Sequence, residues 1–178
     1  MDPFATLGLA ARYDLDPAEL ESRYRELQKA LHPDKHAGAP ASQRRMTLLK
    51  AVEVNEAYRT LRDDIKRAEA LLVLHGGATL AGQREAADPD LLMEVMELRE
   101  TLSDAKSRRD ESEIKRLAER VDGLRLAVRA ELSAAFAALS GAPVPAQLAR
   151  LQASVSRLKY YQRFLDEVSA IDDEAEAS

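Results

Sequence analysis

Aspartate is followed by proline at Asp2-Pro3, Asp16-Pro17 and Asp88-Pro89, and each pair precedes a stretch whose apolar residues are three or four positions apart. Aspartate caps the free amides at the start of an α-helix, and proline fits the first turn because its missing N–H has no partner there. The spacing is that of one helix face, whereas strands alternate every second residue. These features predict an all-α fold.

Composition narrows the class of protein further. Abundant alanine, leucine, glutamate and arginine favour helix, and the absence of cysteine excludes disulfides, thiol catalysis and thiolate metal sites. The net charge of −5 argues against a nucleic-acid partner, because binding phosphates requires a basic surface. No uncharged apolar run is long enough to span a membrane, and the chain does not begin with a signal or transit peptide. We expect a cytoplasmic monomer without a cofactor.

The sequence predicts two small domains. In residues 1–75, one amphipathic helix stops before Pro33, and a second long helix with short bracing helices completes a helical hairpin. Small and polar residues over 76–88 predict a linker. Residues 89–171 contain three long helical stretches with short connections, which predict an antiparallel three-helix bundle. The acidic residues 172–178 lack apolar periodicity and are predicted to form a disordered tail.

Apolar spacing also predicts which residues form the two cores. In the hairpin these are Leu20, Tyr24, Leu27 and Leu31 on one helix, and Ala51, Val54, Ala57, Tyr58 and Leu61 on the next. In the bundle the last helix is predicted to bury Leu148, Leu151, Val155, Leu158 and Leu165. Tyr160 and Phe164 are four residues apart on this helix and lie away from the Leu151/Val155 stripe.

The tripeptide His32-Pro33-Asp34, followed by Lys35, lies between the two helices of the hairpin. Alone it is compatible with an ordinary helix–helix turn. Its context is more specific: Tyr24-x-x-Leu27-x-x-x-Leu31 precedes it, Asn55-x-Ala57-Tyr58-x-x-Leu61 follows it, and the chain opens with Phe4-x-x-Leu7-Gly8-Leu9. This arrangement resembles the J-domain. The resemblance implies that the loop docks on the ATPase domain and linker of a DnaK-type chaperone and stimulates ATP hydrolysis.

The residue types in the loop suit such docking. Pro33 stiffens the loop, so less conformational entropy is lost on binding, and the short Asp34 side chain can pair with an arginine across an interface. A catalytic role for His32 and Asp34 is disfavoured, because an exposed turn offers neither a pocket nor an orienting partner. The chaperone-binding candidates are His32, Pro33, Asp34, Lys35, Arg23, Arg25 and Lys29. Interspersed acids, Glu19, Glu21 and Glu26, should weaken electrostatic steering.

Four segments resemble one J-protein family in particular. General J-proteins continue with a Gly/Phe-rich linker or zinc-binding CxxC repeats, and this sequence has neither. Instead, the segments 57–62, 67–76, 92–100 and 157–161 are similar to the HscB family, whose members belong to the type III J-proteins. One departure is Asp64, where the family usually has proline, so a softer helix break is expected there.

The helix that begins near Asp90 carries a second apolar strip. Leu91, Val95, Leu98 and Leu102 share one face, whereas Leu92, Met93 and Met96 lie about 100–200° around the helix from it. From the pattern alone, this strip is equally compatible with a wide core face and with an exposed binding patch. The HscB resemblance implies the patch, with contacts to the scaffold protein IscU from Leu92, Met93, Met96, Glu97, Glu100 and Tyr160. Tyr160 could also be a residue of the bundle edge with no partner.

The HscB resemblance implies an L-shaped, non-enzymatic co-chaperone of iron–sulfur cluster assembly. It would stimulate the ATPase of an HscA/DnaK-type chaperone and deliver the scaffold protein IscU to that chaperone. Two alternatives from other classes stay open at this point. One is a general J-domain co-chaperone that holds unfolded clients, and the other is a purely structural helical protein with an incidental His-Pro-Asp turn.

Overall fold

The computed structural model describes residues 1–36, 38–77, 89–139, 141 and 143–176, with only the backbone of 172–176. All regular structure in these ranges is helical, which confirms the predicted all-α class. The chain divides into two compact units, Met1–Ala78 and Thr79–Ser178. Within the described ranges, no helix is long and apolar enough to cross a membrane. Most of the predicted linker, residues 78–88, lies outside the described residues.

The first unit begins with two helices whose starts were predicted from the Asp-Pro pairs. Its helices are α1 (Pro3–Leu7), α2 (Pro17–Ala30), α3 (Ala41–Arg62) and α4 (Asp64–Leu74), and a 3₁₀ turn spans Pro33–His36. The Asp2 carboxylate accepts hydrogen bonds from the amides of Phe4 and Ala5, and Asp16 accepts one from the amide of Ala18. The capping role predicted for both aspartates is therefore confirmed. The third pair is only partly described, because Asp88 lies outside the described residues.

The core of the first unit lies between α1, α3 and α4. Phe4 and Leu7 of α1, Ala57 and Leu61 of α3, and Leu71 of α4 are all less than 3% exposed. Of the predicted stripe on α2, Leu20 is buried, whereas Tyr24, Leu27 and Leu31 are only half-buried. The α2 helix therefore covers the core from one side rather than passing through it.

A stacked pair of tyrosines fastens α2 to α3. The rings of Tyr24 and Tyr58 lie 3.9 Å apart and nearly parallel. The Tyr24 hydroxyl donates to Asn55 Oδ1 at 3.0 Å, and the Tyr58 hydroxyl donates to a carboxylate oxygen of Glu21. Both hydroxyls reach across the helix pair, so the contact combines apolar overlap with directional hydrogen bonds.

The break between α3 and α4 is complete, contrary to the softer break expected from Asp64. Asp63 has extended backbone, and its carboxylate accepts hydrogen bonds from the amides of Ile65 and Lys66 at 2.9 Å. The extended backbone of Asp63 ends α3, and its carboxylate caps the start of α4, without a proline. Arg67 stabilises the junction of α3 and α4. Its buried guanidinium pairs with Asp64, donates to the Leu61 carbonyl and lies over the Tyr13 ring.

The second unit is a bundle of three long helices. They are α5 (Pro89–Arg108), α6 (Glu111–Ala137) and α7 (Pro145–Glu176), and α6 packs against both neighbours. The short connection at Arg109-Asp110 makes α5 and α6 antiparallel, and the connection over 138–144 does the same for α6 and α7. It follows that α5 and α7 run parallel to each other.

The core prediction for α7 was partly wrong. Leu151, Val155 and Leu158 are buried as predicted, but Leu148 and Leu165 are only half-buried. Tyr161 and Phe164, which were not placed in the core, are 1% and 3% exposed. From Leu158 to Phe164 the buried positions are three apart, and each such step turns the buried face by about 60° around the helix. A helix that packs against two neighbours buries a wider arc than one apolar stripe predicts.

The acidic tail predicted over 172–178 begins inside the bounds of α7, whose described backbone is helical as far as Glu176, and 177–178 lie outside the described residues. Alanine and glutamate are strong helix formers, and the sequence has no glycine or proline after Pro145 to stop the helix.

Replacing Leu61 by alanine should destabilise the first unit by about 2–5 kcal/mol, since Leu61 is fully buried and truncation leaves a cavity. Amide hydrogen exchange of the whole chain measures this as faster exchange in α1, α3 and α4. Leu48→Ala is the matched control on the same helix. Leu48 is 63% exposed, and its replacement should change stability by less than about 0.5 kcal/mol. Equal effects of the two substitutions would contradict the described core.

Glu21 should stabilise the first unit in a pH-dependent way. The hydrogen bond from Tyr58, and then that from Arg25, lower the pKa of Glu21. A carboxyl whose pKa is lowered by folding contributes stability above its unfolded pKa, and this is lost as pH falls through its folded pKa. Glu21→Gln should therefore lower the urea midpoint at neutral pH, and the difference from wild type should shrink in acid. A difference independent of pH would refute the role of the charge.

Candidate functional site

The His-Pro-Asp loop, defined here as His32, Pro33 and Asp34, projects from the end of the α2–α3 hairpin. Proline disfavours helical geometry in the residue before it, so α2 ends at Ala30 and the chain turns into the 3₁₀ turn. The side chains of His32 and Asp34 are 59% and 90% exposed. The loop therefore presents an imidazole and a carboxylate to solvent.

Short-range hydrogen bonds fix the shape of this loop. The Asp34 amide donates to His32 Nδ1 at 3.3 Å, and the Lys35 amide donates to the His32 carbonyl at 3.1 Å. His36 Nε2 lies 3.0 Å from the Ala30 carbonyl and donates to it in the tautomer protonated at Nε2. His36 therefore ties the 3₁₀ turn to the last turn of α2, a structural role that its sequence position did not suggest.

A groove of about 460 Å³ lies beside the loop, between α2 and α3. Its lining consists of Arg25, Gln28, Lys29, Leu31, His32, Pro33, Ala51, Val54 and Asn55. Leu31, Ala51 and Val54 supply apolar surface, and the charged members of the lining are both cations. The groove brings together four of the predicted chaperone-binding residues, His32, Pro33, Arg25 and Lys29, whereas Asp34, Lys35 and Arg23 are not part of its lining.

Two of the predicted steering cations are already paired with acids on their own helix. Arg25 Nε lies 2.7 Å from Glu21, and Arg23 Nη1 lies 3.2 Å from Glu26. Neither Lys29 nor Lys35 forms an ion pair with another described residue. Each of these two arginines is therefore partly neutralised by its neighbour, whereas the two lysines keep their full charge for a partner.

The second apolar strip of α5 is exposed. Leu92, Met93 and Met96 are 43%, 63% and 67% exposed, whereas Leu91 and Leu98 on the opposite face are buried. The interpretation of the strip as a wide core face is therefore wrong, and a surface patch is what the structure supports. We call Leu92, Met93 and Met96 the α5 strip. The predicted acidic neighbours, Glu97 and Glu100, are also exposed on α5.

Tyr160 of α7 is half-buried, at the edge of the bundle. The next residue, Tyr161, points into the bundle, and its hydroxyl donates to Glu94 Oε2 on α5 at 2.8 Å. On another part of α5, Arg99 Nε lies 3.8 Å from Glu167 of α7. The analysis of the sequence did not identify these two contacts between helices, although the three-residue step from Leu158 to Tyr161 is compatible with a buried tyrosine.

Known proteins match both units. The family model described as the HSCB C-terminal oligomerisation domain matches residues 87–169, and the DnaJ domain model matches residues 2–70. A protein named co-chaperone protein HscB homolog from Shewanella halifaxensis (strain HAW-EB4) is 33% identical over 174 residues, which cover 97% of this chain and 98% of the relative. A homolog of the same name from Vibrio atlanticus (strain LGP32) is 44% identical over 104 residues, 58% of this chain and 61% of the relative.

Solved structures give the same result. Chaperone HscB from Vibrio cholerae matches with a TM-score of 0.80 and 32% identity, over 98% of this chain and 99% of that chain. Human co-chaperone protein HscB matches with a TM-score of 0.82 over 96% of this chain and 81% of that chain, and at 23% identity this match supports the fold alone. The likeness confirms a J-domain followed by a C-terminal helical domain. The chain therefore belongs to the HscB family of J-domain co-chaperones.

Proposed function

We propose that the chain stimulates the ATPase of an HscA/DnaK-type chaperone and delivers an IscU-type iron–sulfur scaffold protein to it. HscB-family J-domain co-chaperones act with Hsp70-type chaperones, and the family's role is in iron–sulfur cluster assembly. The observation that carries the proposal is the presence of two exposed surfaces of different chemistry, one on each unit. The first is a rigid polar loop, and the second is an apolar strip with acidic neighbours.

The J-domain unit would contact the chaperone through the His-Pro-Asp loop. Because the loop is held by its own hydrogen bonds, docking orders few additional groups. The exposed Asp34 carboxylate suits a charge-assisted hydrogen bond with an arginine of the chaperone. The cations Lys29 and Lys35, together with Arg23 and Arg25, favour an acidic surface around that contact. Hydrolysis itself takes place in the chaperone, so this chain is an activator rather than an enzyme.

The bundle unit would bind the scaffold protein through the α5 strip. Its three apolar side chains suit an apolar surface, and methionine adapts to irregular partners because it is flexible and polarizable. Glu97 and Glu100 favour a partner with cations around that surface. Tyr160, at the bundle edge, would add an aromatic contact. The iron–sulfur cluster travels with the scaffold protein as cargo.

The presence of both proposed binding surfaces in one chain would explain how the scaffold protein is delivered to the chaperone. When the bundle holds the scaffold protein, the J-domain loop of the same chain is kept at a high effective concentration near the chaperone that receives it. ATP hydrolysis would then lock the scaffold protein onto the chaperone and promote cluster transfer. We propose that this takes place in the cytoplasm and that the chain acts there as a monomer.

A general co-chaperone that holds unfolded clients is the second candidate. The observation in its favour is a further group of exposed apolar residues on α3: Met46, Leu48, Leu49 and Val52. Such a protein should bind a denatured client as well as it binds the scaffold protein. Competition between the two ligands for the chain, measured by fluorescence anisotropy of labelled scaffold protein, separates the two functions. Efficient displacement of scaffold by denatured client would favour the general role.

Asp34→Asn should abolish most of the stimulation of a cognate chaperone ATPase. Removing one partner from a buried, hydrogen-bonded charge pair costs about 2–5 kcal/mol, which corresponds to roughly thirtyfold or more in apparent affinity. Steady-state ATP turnover, with and without scaffold protein, measures the effect, and His32→Gln should act in the same direction. The matched control is Asp14→Asn, an exposed aspartate of the same unit, which should stimulate normally. Full stimulation by Asp34→Asn would refute the role of the loop.

Replacing both Met93 and Met96 by alanine should weaken scaffold binding by at least about tenfold, because buried interface anchors contribute more than about 1 kcal/mol each. Stimulation of the chaperone in the absence of scaffold protein should stay normal, since the loop lies on the other unit. Isothermal titration calorimetry measures the affinity. Met46→Ala is the control, since Met46 is 56% exposed on α3. Unchanged affinity in the double variant would show that the scaffold protein binds elsewhere.

A further inference from the structure

A polar cluster joins all three helices of the bundle. Tyr161 of α7 is only 1% exposed, and its hydroxyl donates to Glu94 Oε2 on α5 at 2.8 Å. Arg157, one turn earlier on α7, places its guanidinium 3.6 Å from Glu131 of α6. Two neighbouring polar side chains of α7 therefore link this helix to both α5 and α6.

The Tyr161 hydroxyl stays protonated at neutral pH. Burial, followed by the hydrogen bond to Glu94, raises the pKa of Tyr161 above its ordinary value. The neutral hydroxyl therefore remains a hydrogen-bond donor to the Glu94 carboxylate. Such bonds are directional, unlike the contacts of Leu and Val side chains, which allow one helix to slide or rotate against another.

The ion pair between Arg99 and Glu167 is a second contact between α5 and α7, and it aligns the two helices in nearly the same register as the bond from Tyr161 to Glu94. The step from Glu94 to Arg99 on α5 is five residues, and the step from Tyr161 to Glu167 on α7 is six. Because the two helices run parallel, these two ties fix which residues of α5 and α7 lie at the same level. Arg99 and Glu167 are both about half exposed, whereas Tyr161 is buried. The contact from Tyr161 to Glu94 is therefore better shielded from solvent than the ion pair of Arg99 with Glu167.

This register places Tyr160 beside the α5 strip. Tyr160 comes seven residues before Glu167 on α7, and Leu92 comes seven residues before Arg99 on α5. Seven residues are close to two helical turns, about 10 Å along the axis. Tyr160 therefore lies on the same edge of α7 as Glu167, and Leu92 lies on the same edge of α5 as Arg99. Leu92 and Tyr160 are thus at one level, on the edges of α5 and α7 along which Arg99 and Glu167 meet.

We propose that Tyr161 is a positioning residue for scaffold binding, which holds α5 and α7 in the register that joins the α5 strip and Tyr160 into one surface. The inference rests on the proposed function, because it assumes that this surface receives the scaffold protein. Tyr161 itself does not touch the partner, since it is buried within the bundle. It acts through Glu94, whose carboxylate fixes the level of α5.

Tyr161→Phe keeps the ring in the core and removes only the hydroxyl. The loss of one hydrogen bond of this kind should weaken scaffold binding by about threefold to tenfold, as measured by isothermal titration calorimetry with the full chain. The matched control is Tyr24→Phe, which removes a bonded, half-buried tyrosine hydroxyl from the first unit. That control should bind scaffold protein as wild type does. A loss of affinity in both variants would overturn the inference.

A distance measurement separates positioning from a general loss of stability. The chain has no cysteine, so Ser103→Cys and Ser169→Cys, at exposed positions of α5 and α7, can carry spin labels at these two sites alone. Electron paramagnetic resonance should show a single narrow distance distribution in the labelled parent and a shifted or broadened one after Tyr161→Phe. An unchanged distribution would overturn the positioning role, whatever the effect on stability.

The Glu94 side of the contact gives an independent test. Glu94→Gln retains an acceptor for the Tyr161 hydroxyl and should keep more affinity than Glu94→Leu. The combination of Glu94→Leu with Tyr161→Phe should bind no more weakly than Glu94→Leu alone, because both remove the same contact. Additive losses would overturn the inference. If the wild-type chain itself does not bind the scaffold protein, the proposed function fails; if wild type binds and Tyr161→Phe binds equally well, only this inference fails.

Discussion

The proline at position 33 is the constraint on which the J-domain unit depends. Because of this proline, α2 ends at Ala30 and the chain enters a short 3₁₀ turn, after which α3 returns along α2. The same turn that allows the two helices to pack leaves His32 and Asp34 exposed at the tip. Stacked Tyr24 and Tyr58 hold the hairpin together away from the tip, so the side chains proposed to contact the chaperone take no part in its packing.

Most of the helical architecture could be predicted because it depends on local chemistry. Aspartate caps, the proline stop and three- or four-residue apolar spacing are properties of neighbouring residues, and they located the helix starts at Pro3 and Pro17 correctly. The errors have tertiary causes. Phe164, for example, is buried because α7 packs against two helices rather than one. The break at Asp63 is an exception, because its carboxylate bonds only to the neighbouring amides of Ile65 and Lys66.

The candidate surfaces were only partly predictable for the same reason. The pattern placed Leu92, Met93 and Met96 on a second face of α5, but it could not decide whether another helix covers that face; the exposed fractions decide it. The groove beside the loop and the tie from Tyr161 to Glu94 bring together residues that are far apart in the sequence. Spacing within one helix carries no information about such contacts. The bonds of His36 and Arg67 are shorter in range, but they cross a helix end, where apolar spacing within one helix again carries no information.

Exposure of the α5 strip has a consequence for how this protein can change over evolutionary time. Its three apolar side chains are exposed and contribute little to the packing of the bundle, so, given the proposed function, substitutions there should alter partner preference at small cost to folding. Single substitutions in the α5 strip could therefore compensate for changes in the surface of the proposed partner, while the buried residues of the bundle stay the same. The His-Pro-Asp loop has less freedom to change, because the residues proposed to contact the chaperone also form the hydrogen bonds that fix its backbone.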